Sequence, residues 1–305
     1  MTSVFIDGAA GTTGLEIGER LSARPEITLI RVEEARRKDA AARAEALNAA
    51  DIVVLCLPDD AAREAVTLID NPHTRVIDAS SAHRTAEGWT YGFPEIGFDV
   101  AGVMRVSNPG CWPSGFLAFV APLVRAGLIP ADWPLSYSGA SGYSGGGKAM
   151  IAEFEDGSAG TAYRAYGLGL GHKHLPEMRI HGGLAQAPLF LPAVAATHRG
   201  MIGEIGLSIG AMPGAPSLAA IREVLEAAYA DGGVVRVAAD PLPATLTIEA
   251  DAGTDRMTLH VFGNPEGTQA RLVATYDNLG KGAAGAAVQN LNIMAGLDPL
   301  AGLIV

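Results

Sequence analysis

Only two of the 305 residues are cysteine, Cys56 and Cys111. They cannot build a disulfide framework and give no zinc-type spacing. Basic residues are scarce as well: 22 Lys and Arg face 33 Asp and Glu, a formal charge of −11. That balance argues against nucleic acid or an anionic membrane as partner, while leaving room for a local basic pocket. Long apolar runs are missing. The longest, 115–124, is too short to span a bilayer and contains Pro122. The opening MTSVFIDG has neither the basic stretch nor the apolar core of a secretory signal. These absences predict a soluble chain in a reducing compartment, most simply the cytoplasm. What is present is apolar mass: 49% hydrophobic against 18% charged residues, which excludes disorder and supports a large core. The length predicts about two domains. Glycine is abundant, 38 residues, and predicts loops where backbones approach closely.

The first hundred residues alternate strand and helix signals. Strands are predicted at 4–7, 27–32, 52–57, 75–78 and 103–107, and helices at 14–23, 40–49, 60–69 and 112–126. Uninterrupted apolar runs such as 52–57 suit buried parallel strands. The alternation predicts βαβ units and a doubly wound, Rossmann-type parallel sheet. After about residue 130 the pattern changes. Strands are predicted at 136–140, 189–194, 201–209, 246–250, 257–262 and 270–277, with helices at 175–186 and 217–230 and a Gly/Ser loop at 141–148. Several strands with few helices predict an α+β domain with a largely antiparallel sheet. A final helix is predicted at 282–294.

Four constellations carry chemistry. Gly8, Gly11 and Gly14 follow the first strand and open a helix, with Thr12 and Thr13 between them. Such a turn lets backbone N–H groups approach a pyrophosphate. The spacing is Gly-x-x-Gly-x-x-Gly, not the commoner Gly-x-Gly-x-x-Gly. After the second strand come Glu33, Glu34, Arg36, Arg37 and Lys38. A carboxylate there would take the ribose hydroxyls of NAD, and arginines the 2′-phosphate of NADP. Three cations together in so acidic a chain favour NADP, with Arg36 and Arg37 as the expected contacts. Asn108-Pro109-Gly110-Cys111 places a thiol where a strand ends and a helix begins. The helix dipole favours a thiolate there, and neighbouring N–H groups could stabilise an oxyanion. Cys56, within an apolar run, reads as an inert core thiol. His172-Lys173-His174-Leu175-Pro176-Glu177 offers an acid/base imidazole and a carboxylate to orient it. A metal site is the rival reading for these residues; no matching cluster accompanies them, and no metal is expected. Dispersed residues complete the set: Ser80 and Arg84 after the 75–78 strand, the 141–148 loop, and Arg199, arginines being suited to phosphate or carboxylate.

Together these stretches resemble the N-acetyl-gamma-glutamyl-phosphate reductase family of arginine biosynthesis, in its shorter form. The resemblance is carried by Asp7-Gly8-Ala9-Ala10-Gly11-Thr12-Thr13-Gly14, Leu57-Pro58-Asp59-Asp60 and Asp78-Ala79-Ser80-Ser81-Ala82-His83-Arg84. It continues through Tyr91-Gly92-Phe93-Pro94-Glu95, Asn108-Pro109-Gly110-Cys111, Ser141 to Lys148, His172 to Glu177, and Lys281 to Asn290. These lie in family order along nearly the whole chain. The relative most easily confused with it is aspartate-semialdehyde dehydrogenase. Gly145-Gly146-Gly147 departs from the family pattern, where one alanine is commoner, and bears on loop stiffness.

The resemblance implies a Rossmann domain over 1–110, completed by the C-terminal helix at about 280–305, and a catalytic and oligomerisation domain over 111–279. It implies NADP(H) as cofactor and Cys111 as the acyl-accepting nucleophile. His174 is preferred as acid/base, with Glu177 beside it and His172 as a substrate contact. The expected cofactor contacts extend to Ser80, Gly145 and Asn290, and the substrate or phosphate contacts are Arg84, Asn108, Ser114 and Arg199. A homodimer or homotetramer is implied. Two alternatives stay open: a sister acyl-phosphate reductase, and a non-catalytic NADP-binding sensor.

Overall fold

The computed structural model describes residues 1–305, which divide into two compact units. The first comprises Met1–Gly110 and Ala283–Leu303, the second Cys111–Gly282 with Ile304–Val305.

In the first unit, β1 (Thr2–Asp7), α1 (Thr12–Ser22), β2 (Ile27–Ile30), α2 (Ala40–Ala49), β3 (Ile52–Leu55), α3 (Asp59–Thr67), β4 (Arg75–Asp78), β5 (Thr90–Tyr91) and β6 (Arg105–Ser107) follow in order. The sheet is wholly parallel, ordered β2-β1-β3-β4-β6-β5. Side-chain alternation divides its apolar residues between two cores. Val4, Ile6, Ile52, Val54 and Ile77 pack under α1 and the C-terminal helix Gly285–Ala295. Phe5, Val53, Leu55 and Val76 pack under α2 and α3. A strand covered on both faces has no polar side to show, which is why its sequence is an unbroken apolar run. The strand expected to reach residue 57 stops at Leu55, because Cys56 and Leu57 turn out along the glycine loop.

The second unit begins with α4 (Cys111–Arg125) and continues through β7 (Ser136–Gly142), α5 (Gly147–Glu155), β8 (Tyr163–Ala165), α6 (Leu175–His181), β9 (Leu189–Ala195), β10 (Met201–Leu207), α7 (Leu218–Ala228), β11 (Val235–Val237), β12 (Met257–Gly263) and β13 (Ala270–Tyr276). Its mixed sheet runs β11-β12-β13-β10-β7-β9-β8, antiparallel at four of its six pairings. Helix α4 is almost wholly buried and packs on β10, β12 and β13 and against α6 and α7. Pro122 inside it removes one helical N–H and frees the carbonyl of Ala118. The Tyr229 hydroxyl donates to that carbonyl at 2.6 Å, so the buried acceptor keeps a partner.

Three sequence expectations need correction. The Gly/Ser loop expected over 141–148 gives way at Gly147 to a helix over 147–155, which buries no residue fully. Residues 246–250 alternate like a strand but form turns, with Ala250 N–H donating to the Thr247 carbonyl at 3.3 Å. Ala252 N–H likewise donates to the Glu249 carbonyl at 3.0 Å, closing a turn in place of a ladder. Helix α6 ends at His181, short of the expected residue 186, where Gly182 and Gly183 (φ +67°) stop it.

Candidate active site

In the first unit the turn from β1 into α1 is shaped by glycines. Gly8 has φ +90°, and a Cβ there would lie 2.3 Å from the Cys56 carbonyl oxygen. A Cβ on Gly14 would lie 2.5 Å from the Gly8 carbonyl oxygen. No side chain is small enough for either place. Helix α1 has no side-chain cap, whereas Asp39 caps α2 and Ser217 caps α7. The first-turn N–H groups of Thr12, Thr13 and Gly14 are thus left without a capping side chain, beside a cavity of about 710 Å³ lined by 8–11, 29–32 and 56–58. This cradle fits a dinucleotide: close backbone, a helix N-terminus for the pyrophosphate, and a wall at the end of β2 for the ribose.

The sequence-predicted residues in this unit take distinct places. Asp78, fully buried at the end of β4, accepts from Ser80 N–H (2.9 Å), Ser80 Oγ (2.8 Å) and His83 Nδ1 (2.6 Å). Arg84, expected to meet a substrate phosphate, is buried and donates through Nε to the Asn108 carbonyl (3.0 Å) and through Nη2 to the Ala79 carbonyl (3.1 Å). Asn108 is held at its other ends too: its N–H by the Asp78 carbonyl (2.7 Å) and its Nδ2 on the Ala283 carbonyl (3.0 Å). Asn290 donates from Nδ2 to the Gly92 carbonyl (2.9 Å) and to Asn108 Oδ1 (3.1 Å). Those two acceptors fix its amide orientation and leave Oδ1 buried without a hydrogen-bond partner. Arg36 lies outside the cavity and meets Asp39 at 3.5 Å; Arg37 lines it but pairs with Glu34 at 2.9 Å.

In the second unit Cys111 is the first residue of α4 and is partly exposed. Its carbonyl accepts from the Tyr276 hydroxyl at 2.8 Å, tying the helix start to β13. Gly115, one turn on, admits the rings of Tyr137 and Tyr276, since a Cβ there would lie 2.7 Å from both hydroxyls. Ser114 is buried in the same first turn. Trp112 Nε1 donates to the Tyr166 hydroxyl at 2.8 Å. The Tyr166 ring lies 6.0 Å from that of His172, and His172 lies 4.6 Å from His174. Phe190 touches both Trp112 (5.2 Å) and His172 (5.1 Å). An aromatic chain thus brings the histidine segment to the first turn of α4. His174 N–H donates to His172 Nδ1 at 3.2 Å, holding the two histidines together. His174 is the residue before α6 and 5% exposed; Glu177, in the first turn of α6, is 1% exposed. Burial pushes the hydroxyls of Tyr137, Tyr166 and Tyr276 well up, keeping them protonated donors.

Arg199, also expected at the substrate, forms an ion pair with Asp277, Nε lying 2.7 Å from Oδ2. Asp277 is fully buried and takes backbone N–H groups from Gly253, Leu279 and Gly280. Gly145 lies in the short turn Tyr143–Gly146, which Asn278 anchors through Ser144 Oγ at 2.8 Å. No group of three or more His, Cys, Asp or Glu is placed to hold a metal ion. No helix is long and apolar enough to cross a membrane.

Residues 3–101 match the family model "Semialdehyde dehydrogenase, NAD binding domain", and 111–278 match "Semialdehyde dehydrogenase, dimerisation domain". The chain is 51% identical to N-acetyl-gamma-glutamyl-phosphate reductase from Chelativorans sp. (strain BNC1), over 95% of this chain and 97% of that one. It is 45% identical to N-acetyl-gamma-glutamyl-phosphate reductase 2 of Nostoc sp., over 98% of each. The chain belongs to the N-acetyl-gamma-glutamyl-phosphate reductase family.

The family's fold extends to more distant structures. Aspartate semialdehyde dehydrogenase II from Vibrio cholerae superposes with a TM-score of 0.72 at 16% identity, covering 97% of this chain and 98% of that one. The Candida albicans aspartate semialdehyde dehydrogenase, solved with NADP, gives 0.66 at 16%, covering 96% and 100%. Within this reductase-family chain, sequence reasoning missed Arg31 and Arg43 on the cavity wall, Asp277 beneath Arg199, and the tyrosines around Gly115. Arg31 fell inside the strand expected at 27–32, which ends at Ile30, so its place at the strand's end was hidden. The tyrosine contacts join residues far apart in the chain and leave no local signal.

Proposed function

We propose that the protein catalyses the NADPH-dependent reduction of N-acetyl-gamma-glutamyl phosphate to N-acetyl-glutamate semialdehyde, releasing phosphate, as a step of arginine biosynthesis. The observation that carries this reading is a partly exposed thiol at the first residue of α4, linked through Trp112, Tyr166 and His172 to the buried His174. Near full-length identity to reductases of that name supports the substrate.

Cys111, as thiolate, attacks the γ-carbonyl carbon; a C–S bond forms, the bond to the phosphate oxygen breaks, and phosphate departs. The N–H groups and dipole of the first helical turn favour the thiolate and steady the oxyanion. NADPH, when bound, supplies the hydride that reduces the thioester carbonyl. Collapse of the resulting hemithioacetal breaks the C–S bond, frees the aldehyde and restores the thiolate. His174 acts as acid/base and Glu177 orients it. His172 serves as a substrate contact. Gly8, Gly11, Thr12, Thr13 and Gly14 hold the pyrophosphate, and Asn290 serves the cofactor site through the Gly92 carbonyl and Asn108 that it holds. Ser80, Ser114, Asn108 and Gly145 shape these sites, while Arg84 and Arg199 act through the groups they pin. The second unit's sheet serves self-association into a dimer or tetramer; Leu189 and Leu191, alternate residues of β9 each 45% exposed, suit that use. A cytoplasmic setting fits two free thiols.

The test is phosphate-dependent oxidation of N-acetyl-glutamate semialdehyde against aspartate semialdehyde, with NADP and NAD. The first substrate with NADP is expected to dominate, and an acyl adduct on Cys111 is expected by mass spectrometry. Turnover retained in Cys111→Ser would remove the covalent route.

A further inference from the structure

The sequence suggests Arg36 and Arg37 as readers of a 2′-phosphate, but the cavity is built otherwise. Four cations line it: Arg31, Arg37, Lys38 and Arg43; two carboxylates, Asp7 and Glu34, do so as well. Two of the cations are already engaged. Arg43 donates to Asp7 Oδ2 from Nη2 (2.9 Å) and Nε (3.1 Å), and both partners are largely buried, so this pair is a fixed floor. Arg37 pairs with Glu34 at 2.9 Å. Arg31 and Lys38 have no hydrogen bond or ion pair to any side chain. Two cations without a side-chain partner thus share one cavity wall.

Their place in the fold gives that charge a use. Arg31 is the first residue beyond β2, whose last residue, Ile30, pairs with Phe5 of β1. The carboxyl ends of these strands and the glycine turn bound the same cavity. In open parallel sheets the ribose of a dinucleotide lies at the end of the second strand. A 2′-phosphate adds up to two negative charges there, matching one guanidinium and one ammonium. We propose that Arg31, assisted by Lys38, and not Arg36 or Arg37, is the specificity-determining group that selects NADP over NAD. The inference rests on the NADP reading above.

The experiment uses calorimetric titration with 2′,5′-ADP and 5′-AMP, which differ only in the phosphate at issue and need no turnover. Wild type, Arg31→Ala, Arg31→Ala/Lys38→Ala and Arg36→Ala are compared, with thermal melting to verify the fold. Arg31→Ala should weaken 2′,5′-ADP by about tenfold or more and leave 5′-AMP within about twofold. The double variant should bind both ligands alike, and Arg36→Ala should match wild type. Loss of both ligands together in Arg31→Ala, or an Arg36→Ala loss as large, overturns the assignment. Wild type preferring 2′,5′-ADP, with the preference intact in Arg31→Ala, overturns the residue alone. Equal binding of both ligands by wild type overturns the NADP reading and this inference with it.

Discussion

The two cysteines stand at opposite kinds of boundary. Cys56 comes one residue after a parallel strand, and Cys111 is the first residue of a helix. At Cys56 the backbone N–H donates to the Asp7 carbonyl at 2.8 Å and the carbonyl rests against Gly8. Cys56, like Cys111, is partly exposed, but desolvation of its thiol, with Asp78 and Asp7 nearby, pushes it up to about 12, so it stays neutral. Around Cys111 the ordering is reversed: its carbonyl is tied to Tyr276, and its side chain shares the helix start with first-turn N–H groups. The comparison teaches that chain direction decides what a thiol meets. A strand's end beside carboxylates holds sulfur protonated, while a helix's beginning favours the anion.

The largest expected effect separates the two directly. Iodoacetamide at mildly alkaline pH should modify Cys111 alone and abolish reductase activity. Cys111→Ser should lose activity by roughly a thousandfold or more, while Cys56→Ser stays within about twofold of wild type. Peptide mass spectrometry reads the site; modification of Cys56 well below pH 12 would break the contrast. Next in size, Gly8→Ala would force a Cβ toward the Cys56 carbonyl from an unfavourable φ. Fluorescence titration should show NADPH affinity reduced by about tenfold or more, together with a lower melting temperature.

The smallest effect concerns the donors around Cys111. Tyr137, Tyr166 and Tyr276 have values raised above the ordinary 10.0 by burial. A group so raised binds its proton more tightly when folded. Its contribution is complete below pH 10 and is lost as pH climbs through the raised values. Stability should therefore decline on the alkaline side, and phenolate absorbance from these residues should appear only with unfolding. Tyr276→Phe should flatten that decline and cost about 1 kcal/mol near neutrality, measured by urea melts.

Much of this molecule was legible one segment at a time. The glycine turn, Cys111 at a helix start and the His172–Glu177 segment are local patterns, and each lies where its spacing predicts. The misreadings have local causes too. Helix α5 buries none of its residues fully, and 246–250 imitates a strand while closing turns on itself.

The sequence by itself determined the parallel sheet, since apolar runs alternating with helices have few other ways to be buried. It also determined which residues could be nucleophile, acid/base and phosphate cradle, because those depend on residue type and on neighbours within a turn or two. Only the tertiary structure decided how charge and hydrogen bonds were distributed among the candidates. Arg84 and Arg199 read as free cations until their partners at Asn108 and Asp277 are seen, the latter 78 positions away in the chain. Arg36, Arg37 and Arg31 are alike as letters, and differ because Asp39 and Glu34 stand beside two of them and nothing stands beside the third. A side chain's availability depends on every group within a few ångströms, and that set is assembled only when distant segments pack.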